Sequence, residues 1–282
     1  MIPADEFATF AFGALIAGIT AHFLIRFRLV SPPAVLVRTN VNGRAVPAIL
    51  GGPIVISALL ALLCIGVLAA VGWKAAEGAS VAVATSLLLA AMGAAGAWDD
   101  MKGDERPRGF AGHLGAMRAR RLTGGVVKAA TGLVAGVIAG WIVANDLPGA
   151  LEIGLLVALS ANLTNLFDRA PGRAAKVTLF VTVPLVVWGS PSWAVMAGGA
   201  IGALVASMPF DLRQRAMLGD AGANAVGAVM GLGLGVSLPP AGRLIALAVL
   251  AALNVASEKW SFSRVIAQTS WLRYLDRLGT GK

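Results

Sequence analysis

Residues 81–102 read VAVATSLLLAAMGAAGAWDDMK, an apolar run without a charged residue that ends in two adjacent aspartates and a lysine. A run of this kind can cross the hydrocarbon core of a membrane, which takes a helix of roughly 20 residues. Carboxylates at the edge of that core are costly unless they bind a partner or take part in chemistry. The stretch therefore predicts a transmembrane helix that ends, at Asp99 and Asp100, on a functional surface.

The same pattern recurs along the whole chain and predicts an all-α, polytopic integral membrane protein. Hydrophobic residues make up 57% of the sequence and charged residues 13%, whereas a soluble protein carries about 25% charged residues. We expect about nine transmembrane helices, with a range of nine to ten. We interpret the first as a transmembrane helix of the mature protein and not as a cleaved signal peptide. The apolar segments are 7–25, 53–73, 81–98, 125–144, 150–167, 177–190, 192–209, 220–237 and 243–257.

The basic residues predict the orientation of these helices. With the N-terminus outside, the loops after the odd-numbered spans contain all of the 23 lysines and arginines except Lys74 and Arg243. Lysine and arginine are retained on the cytoplasmic side of membrane proteins, so these loops are expected in the cytoplasm. Residues 1–257 are then a single transmembrane domain of the inner (plasma) membrane, and residues 258–282 are a basic, amphipathic cytoplasmic tail. The net charge of +9 follows from this topology and favours anionic lipids or nucleotides over nucleic acid as partners.

Five aspartates lie at the predicted cytoplasmic ends of the spans: Asp99, Asp100, Asp168, Asp211 and Asp220. Mg²⁺ prefers one or two carboxylates together with water and substrate phosphates. Each acid also has a simpler interpretation, since the Asp99–Asp100 pair and Asp220 are suited to helix capping and Asp211 to a solvated loop. Because all five acids are expected on the same side of the membrane, they nevertheless predict a metal-binding site at the membrane surface. Such a site suits an enzyme that acts on a lipid-linked substrate.

Polar and basic residues accompany these acids. Asn162 and Asn165 precede Asp168, where they either line the site or hydrogen-bond between helices. Lys102, Arg173 and Lys176 are placed to contact phosphate groups, or else they anchor the cytoplasmic loops.

The order of these motifs resembles a known enzyme family. Asp-Asp-Met-Lys at 99–102, Asn-Leu-Thr-Asn-Leu-Phe-Asp at 162–168 and Gly-Asp-Ala-Gly at 219–222 follow one another on successive cytoplasmic loops. This order is similar to that of the polyprenyl-phosphate N-acetylhexosamine-1-phosphate transferases (glycosyltransferase family 4), the relatives of phospho-N-acetylmuramoyl-pentapeptide transferase. Asn-Gly-Arg-Ala-Val-Pro at 42–47 also resembles the first cytoplasmic loop of that family. The likeness covers about residues 38 to 225.

The resemblance implies transfer of a sugar-1-phosphate from a nucleotide sugar to a polyprenyl phosphate, such as undecaprenyl phosphate, in cell-wall biogenesis. It also implies Mg²⁺ (or Mn²⁺) as cofactor, a UDP-linked donor and, as a further option, a homodimer. From the residues and the resemblance together, the expected catalytic acids are Asp99, Asp100 and Asp168, and the expected metal ligands are Asp220 and Asp100. The expected substrate-binding residues are Lys102, Asn162, Asn165, Arg173 and Lys176.

The sequence departs from the family pattern at several places. Pro171 stands where the family has a second acid, and the family's His-rich loop is missing, because the only histidines are His22 and His113. A non-catalytic relative that acts as a membrane scaffold or lipid-binding protein is therefore the alternative interpretation. A transporter is disfavoured, because the acids lie at the ends of the spans and not at the midplane.

Overall fold

The computed structural model describes residues 2–73, 78–102 and 124–281, and most of them are helical. A short antiparallel hairpin follows the first helix, with strands β1 (Val37–Thr39) and β2 (Ala45–Pro47). The helices are α1 (Ala4–Val30), α2 (Gly51–Ala70), α3 (Ala79–Lys102), α4 (Gly124–Ala144), α5 (Leu147–Phe167), α6 (Arg173–Trp188), α7 (Pro191–Leu212), α8 (Gly219–Ser237), α9 (Pro240–Lys259), α10 (Phe262–Gln268) and α11 (Ser270–Arg277).

The helices confirm the predicted all-α, multi-pass membrane architecture at a coarse level. Within the described residues, seven helices are long and apolar enough to cross a membrane: α1, α2, α3, α4, α5, α7 and α9. The helices α6 and α8 also coincide with predicted spans, but α6 has only 16 residues and α8 is rich in glycine and alanine. The number of nine crossings and the outside position of the N-terminus stay predictions.

The helix α8 lies at the centre of the bundle, and most of its residues are buried. Its glycines and alanines let neighbouring backbones approach closely, which is how helices pack in lipid without a hydrophobic driving force between them. A Cβ atom added at Gly96 of α3 would collide with the backbone at Asp220, and one at Gly51 of α2 would collide with that at Gly222. The first turn of α8 is therefore held directly against α2 and α3.

The hairpin joins the loop that precedes α8. Met217 donates its N–H to the carbonyl of Pro47 at 2.9 Å, and Leu50 donates to the carbonyl of Met217 at 3.2 Å. The all-α prediction missed this hairpin, because strands of three residues are too short to show an alternating pattern. The segment at 42–47 is thereby attached to the loop that carries Gly219 and Asp220.

The C-terminal tail folds back onto the beginning of α6. Asp276 accepts two hydrogen bonds from the Arg173 guanidinium, at 2.7 and 2.9 Å, and its backbone carbonyl accepts one from Lys176 at 2.6 Å. The rings of Phe167 and Phe262 stack with centroids 5.1 Å apart. These contacts place α10 and α11 beside the end of α5, on the side of the bundle where the aspartates lie.

Candidate functional site

The five aspartates meet at one end of the bundle, although they come from four different helices. Asp99 and Asp100 lie in the last turn of α3, and Asp211 lies in the last turn of α7. Asp168 follows the last residue of α5, while Asp220 lies in the first turn of α8. Hydrogen bonds to the first turn of α8 and to a lysine of α4 connect four of the five acids.

Asp100 caps the first turn of α8. Its two carboxylate oxygens accept the N–H groups of Asp220 and Ala221, each at 3.0 Å. Gly219 has a φ of +72°, and a Cβ atom there would stand 3.0 Å from the Asp100 carboxylate. A residue without a side chain is therefore needed for this close approach. The positive end of the helix dipole favours a carboxylate at this position.

Asp168 binds the same helical turn. Its Oδ2 atom accepts the N–H of Gly219 at 3.0 Å. Burial raises the pKa of the Asp168 carboxyl well above its usual range, and the neighbouring carboxylates of Asp211, Asp220 and Asp100 raise this pKa further. Such a carboxyl group holds a proton more strongly than an ordinary aspartate does, which suits a group that accepts a proton in a reaction.

Asp211 has a structural role. Its Oδ2 atom accepts the N–H of Gly172 at 2.9 Å, and Gly172 has a left-handed backbone with φ +70°. This bond ties the turn between α5 and α6 to the end of α7. The buried carboxylate, only 5% exposed, replaces the solvated loop charge that the sequence allowed.

Lys128 is the central cation of the site. Its ammonium lies 2.7 Å from Asp99 Oδ2 and 2.7 Å from Asp220 Oδ2, and its side chain is 12% exposed. With its amide oriented to match donors with acceptors, Asn165 donates to Asp220 at 2.8 Å and accepts from Lys128 at 3.2 Å. Lys128 therefore joins acids from α3 and α8 with the amide of α5.

Other predicted site residues have partners away from this centre. Asn162 donates to Asn254 of α9 at 2.6 Å, which agrees with the helix-to-helix alternative. Arg173 and Lys176 bind the C-terminal tail through Asp276. The Lys102 ammonium lies 3.6 Å from the centroid of the Trp98 ring.

Sequence reasoning missed Lys128 and Arg38 as parts of this site. Lys128 was interpreted as one of the basic residues that set topology, although its place within the first turns of an apolar helix is unusual for a solvated charge. Arg38 donates to the backbone carbonyl of Asp100 and, at 2.7 Å, to that of Val35. It therefore fixes the end of α3 against the hairpin. His113 lies outside the described residues.

The donor groups suit a magnesium ion only in part. Within residues 2–73, 78–102 and 124–281, no three His, Cys, Asp or Glu side chains form a group ready to hold a metal. Asp99 and Asp220 nevertheless reach one cationic centre, the Lys128 nitrogen. Since Mg²⁺ needs only one or two carboxylates, this pair fits the ion if the ammonium moves aside. In the structure, Asp220 shares a cation with Asp99, whereas the prediction from sequence gave Asp220 and Asp100 as the metal ligands.

Comparisons with known proteins give no family for this chain, since neither a protein-family model nor a curated protein matches its sequence.

We expect Lys128→Met to destabilise the protein strongly. The substitution keeps most of the side-chain volume but removes the cation between two largely buried carboxylates. Removing one partner from a buried ion pair costs about 3–5 kcal/mol. The melting temperature in detergent at pH 8 should fall and should recover partly when Mg²⁺ is added.

Lys102→Met is the matched control, because that lysine is exposed and contacts a tryptophan face. Equal melting temperatures for the two variants and the native protein would show that Lys128 does not neutralise the acids.

Proposed function

We propose that the chain is a Mg²⁺-dependent phosphoglycosyl transferase. It would transfer a sugar-1-phosphate from a nucleotide sugar, UDP-linked in our proposal, to a polyprenyl phosphate at the cytoplasmic face of the plasma membrane. The products would be a polyprenyl-diphosphate sugar for cell-envelope assembly and a nucleoside monophosphate.

The observation that carries this proposal is the convergence of the motifs on the first turn of α8. The loop before α8 binds the hairpin that contains segment 42–47. Gly219 and Asp220 donate backbone N–H groups to Asp168 and Asp100, respectively. Lys128 then joins Asp220 to Asp99. Residues of the three motifs that carry the resemblance, 51 and 120 positions apart in the sequence, thus contact the same helical turn.

The proposed roles follow from these contacts. Asp220 and Asp99 are the carboxylates best placed to hold the metal, which would neutralise charge on the donor diphosphate when bound. Asp100 keeps the first turn of α8 in position. Lys128 would turn from the two acids to the donor phosphates once these acids have another cation. Asn165 would orient the Asp220 carboxylate.

Asp168 is the proposed proton acceptor. An oxygen of the lipid phosphate would form a bond to the sugar-bearing phosphorus, and the bond from this phosphorus to the oxygen of the nucleoside monophosphate would break. Asp168 would take the proton of a monoprotonated lipid phosphate or orient this group, and its raised pKa suits the first role. Positioning and electrostatic stabilisation would supply most of the rate enhancement.

The roles proposed for Arg173 and Lys176 change with their contacts. Both hold the tail through Asp276, so they would support the site by fixing α10 and α11 rather than by contacting the diphosphate. Lys102 and Asn162 stay proposed substrate contacts only if they leave Trp98 and Asn254.

One observation favours the alternative of a non-catalytic membrane scaffold or lipid-binding protein. Lys128 already supplies the positive charge between Asp99 and Asp220. A lysine that offsets part of this negative charge would let the cluster persist without a metal ion and would give the acids a structural purpose.

A donor screen separates the two functions. The purified full-length chain is incubated with undecaprenyl phosphate, Mg²⁺ and each member of a panel of nucleotide sugars, with UDP-linked sugars first. We expect one donor to release nucleoside monophosphate and to form a lipid-linked diphosphate sugar, and we expect both to stop on chelation of the metal.

The control reaction omits the lipid phosphate and measures simple hydrolysis of the donor. Folded protein that releases no nucleotide from any donor, and whose melting temperature does not respond to Mg²⁺ or Mn²⁺, would favour the scaffold function.

A further inference from the structure

A cavity lined by basic residues lies between the end of α1 and the end of α7. It has a volume of about 430 Å³. Its walls carry Arg26 and His22 from α1, together with Phe210, Arg213 and Arg215 from the end of α7 and the following turn. None of its lining residues in the described ranges is acidic. Three arginines from two separate elements thus converge on one space.

These arginines differ from other basic residues at this end of the bundle. The guanidinium groups of Arg173 and Arg38 donate hydrogen bonds within the protein, the first to Asp276 and the second to backbone carbonyls. Within the described part of the chain, the guanidinium groups of Arg26, Arg213 and Arg215 make neither an ion pair nor a hydrogen bond. The Arg215 guanidinium instead lies over the Phe210 ring, 5.9 Å from its centroid. Guanidinium groups bind phosphate through paired, charge-assisted hydrogen bonds.

Apolar residues also line the cavity, namely Leu29, Val30 and Pro209. An exposed apolar stripe runs along α1 and ends at Val30, and it consists of Phe12, Leu15, Ile19, Phe23, Phe27 and Val30. Their spacing of three or four residues places them on one face of the helix. The three arginines of the cavity therefore lie at the end of an apolar stripe that is long enough to run through most of a membrane.

We propose that this cavity binds the phosphate headgroup of an anionic membrane lipid, and that the acyl chains of that lipid lie along the stripe on α1. A soluble phosphate would match the three arginines but has no use for the stripe. A lipid matches both, because a basic site at the edge of the hydrocarbon core attracts anionic headgroups. This binding is independent of the proposed transfer reaction.

The test uses the full-length chain, freed of lipid in a neutral detergent. Phosphatidylglycerol, phosphatidylcholine, glycerol phosphate and inorganic phosphate are titrated separately, and the apparent affinity is read from the rise in melting temperature. We expect phosphatidylglycerol to stabilise the native protein and the other three compounds to do so much less. Equal stabilisation by either soluble phosphate would overturn the lipid assignment.

The variant Arg213→Gln with Arg215→Gln should weaken phosphatidylglycerol binding about 30-fold, the ratio for two basic residues near an anionic surface. The matched control is Arg28→Gln with Arg264→Gln, which removes the same charge from exposed residues outside the cavity lining. If the two double variants lose the same affinity for phosphatidylglycerol, the effect is one of net charge, and the proposed site is overturned.

Two further measurements keep the result decisive. Arg26→Gln changes one exposed residue on α1 and replaces the double variant if that variant fails to fold. It should weaken the binding of phosphatidylglycerol and leave the response to the other three compounds unchanged. Native mass spectrometry should show retained phosphatidylglycerol on the native monomer. A dimer that the arginine substitutions dissociate, with no lipid retained, would assign this surface to a second copy of the chain instead.

Discussion

Asp220→Asn is expected to lower turnover by roughly two to three orders of magnitude or more, the scale for losing one group that stabilises transition-state charge. The asparagine amide has nearly the volume of the carboxylate and still offers one oxygen to Lys128. The neighbouring Asn165 can turn its own amide to accept the new N–H group, at the expense of its 3.2 Å contact with Lys128. The substitution therefore removes a charge from the proposed metal position and leaves the packing of α8 unchanged.

Asp100→Asn should behave differently, although the two acids are connected by a hydrogen bond. Both oxygens of Asp100 accept backbone N–H groups, and an asparagine has only one acceptor oxygen. Its NH₂ group would face a donor at the start of α8, and an unsatisfied buried donor costs about 1–3 kcal/mol. We expect this variant to lose stability as well as activity.

The comparison requires turnover and melting temperature for both variants in the same detergent. Asp220→Asn should melt close to the native protein, and Asp100→Asn should melt clearly lower. Unchanged turnover in Asp220→Asn would remove this residue from the proposed mechanism. Equal melting temperatures would show that Asp100 does not hold the first turn of α8.

The positions of the aspartates at helix ends could be predicted from sequence, because hydropathy marks where an apolar helix ends. Asp99 and Asp100 end the longest uncharged part of α3, and Asp220 begins the last buried helix, so their depth follows from local composition. Neither inference needs knowledge of which helices are neighbours. The apolar ranges accordingly match the long helices to within a few residues.

The partners of charged side chains could not be predicted in the same way. Arg173 lies five residues after Asp168, which suggested a shared site, yet its guanidinium turns to Asp276 about 100 positions further along. Lys128 resembles a topological charge in the sequence, and only the packing of α4 against α3 brings its ammonium to Asp99. Such contacts depend on tertiary packing, and the composition of the segments around the two residues does not determine them.

The composition of α8 shows a second limit of prediction from sequence, which concerns the recognition of membrane-spanning helices. Its glycines, together with Asp220 and Asn224, lower its hydropathy, so α8 is not among the helices that are apolar enough to cross a membrane, although it coincides with a predicted span. The reason is its central position, where close packing against α2, α3, α5 and α7 matters more than contact with lipid. Composition alone does not separate a helix shielded by its neighbours from one that is only weakly apolar.

Asp168→Asn is expected to raise stability at pH 8 while it lowers turnover. The folded protein holds the Asp168 proton more strongly than the unfolded chain does, because burial and the nearby acids raise its pKa. A carboxyl with a raised pKa stabilises the fold below its unfolded pKa, and this contribution is lost as the pH rises through the folded pKa. The native protein should therefore become less stable from pH 4 towards pH 8.

The asparagine amide stays neutral throughout this range and can still accept the N–H of Gly219. The variant should consequently match the native protein near pH 4, melt higher at pH 8 and show a flatter pH profile in between. Its turnover should fall, because the amide cannot accept a proton. Asp5→Asn, an exposed change at the far end of α1, should alter neither property. A variant that melts lower than the native protein at pH 8 would mean that the Asp168 charge stabilises the fold, which contradicts the raised pKa and the proton-accepting role built on it.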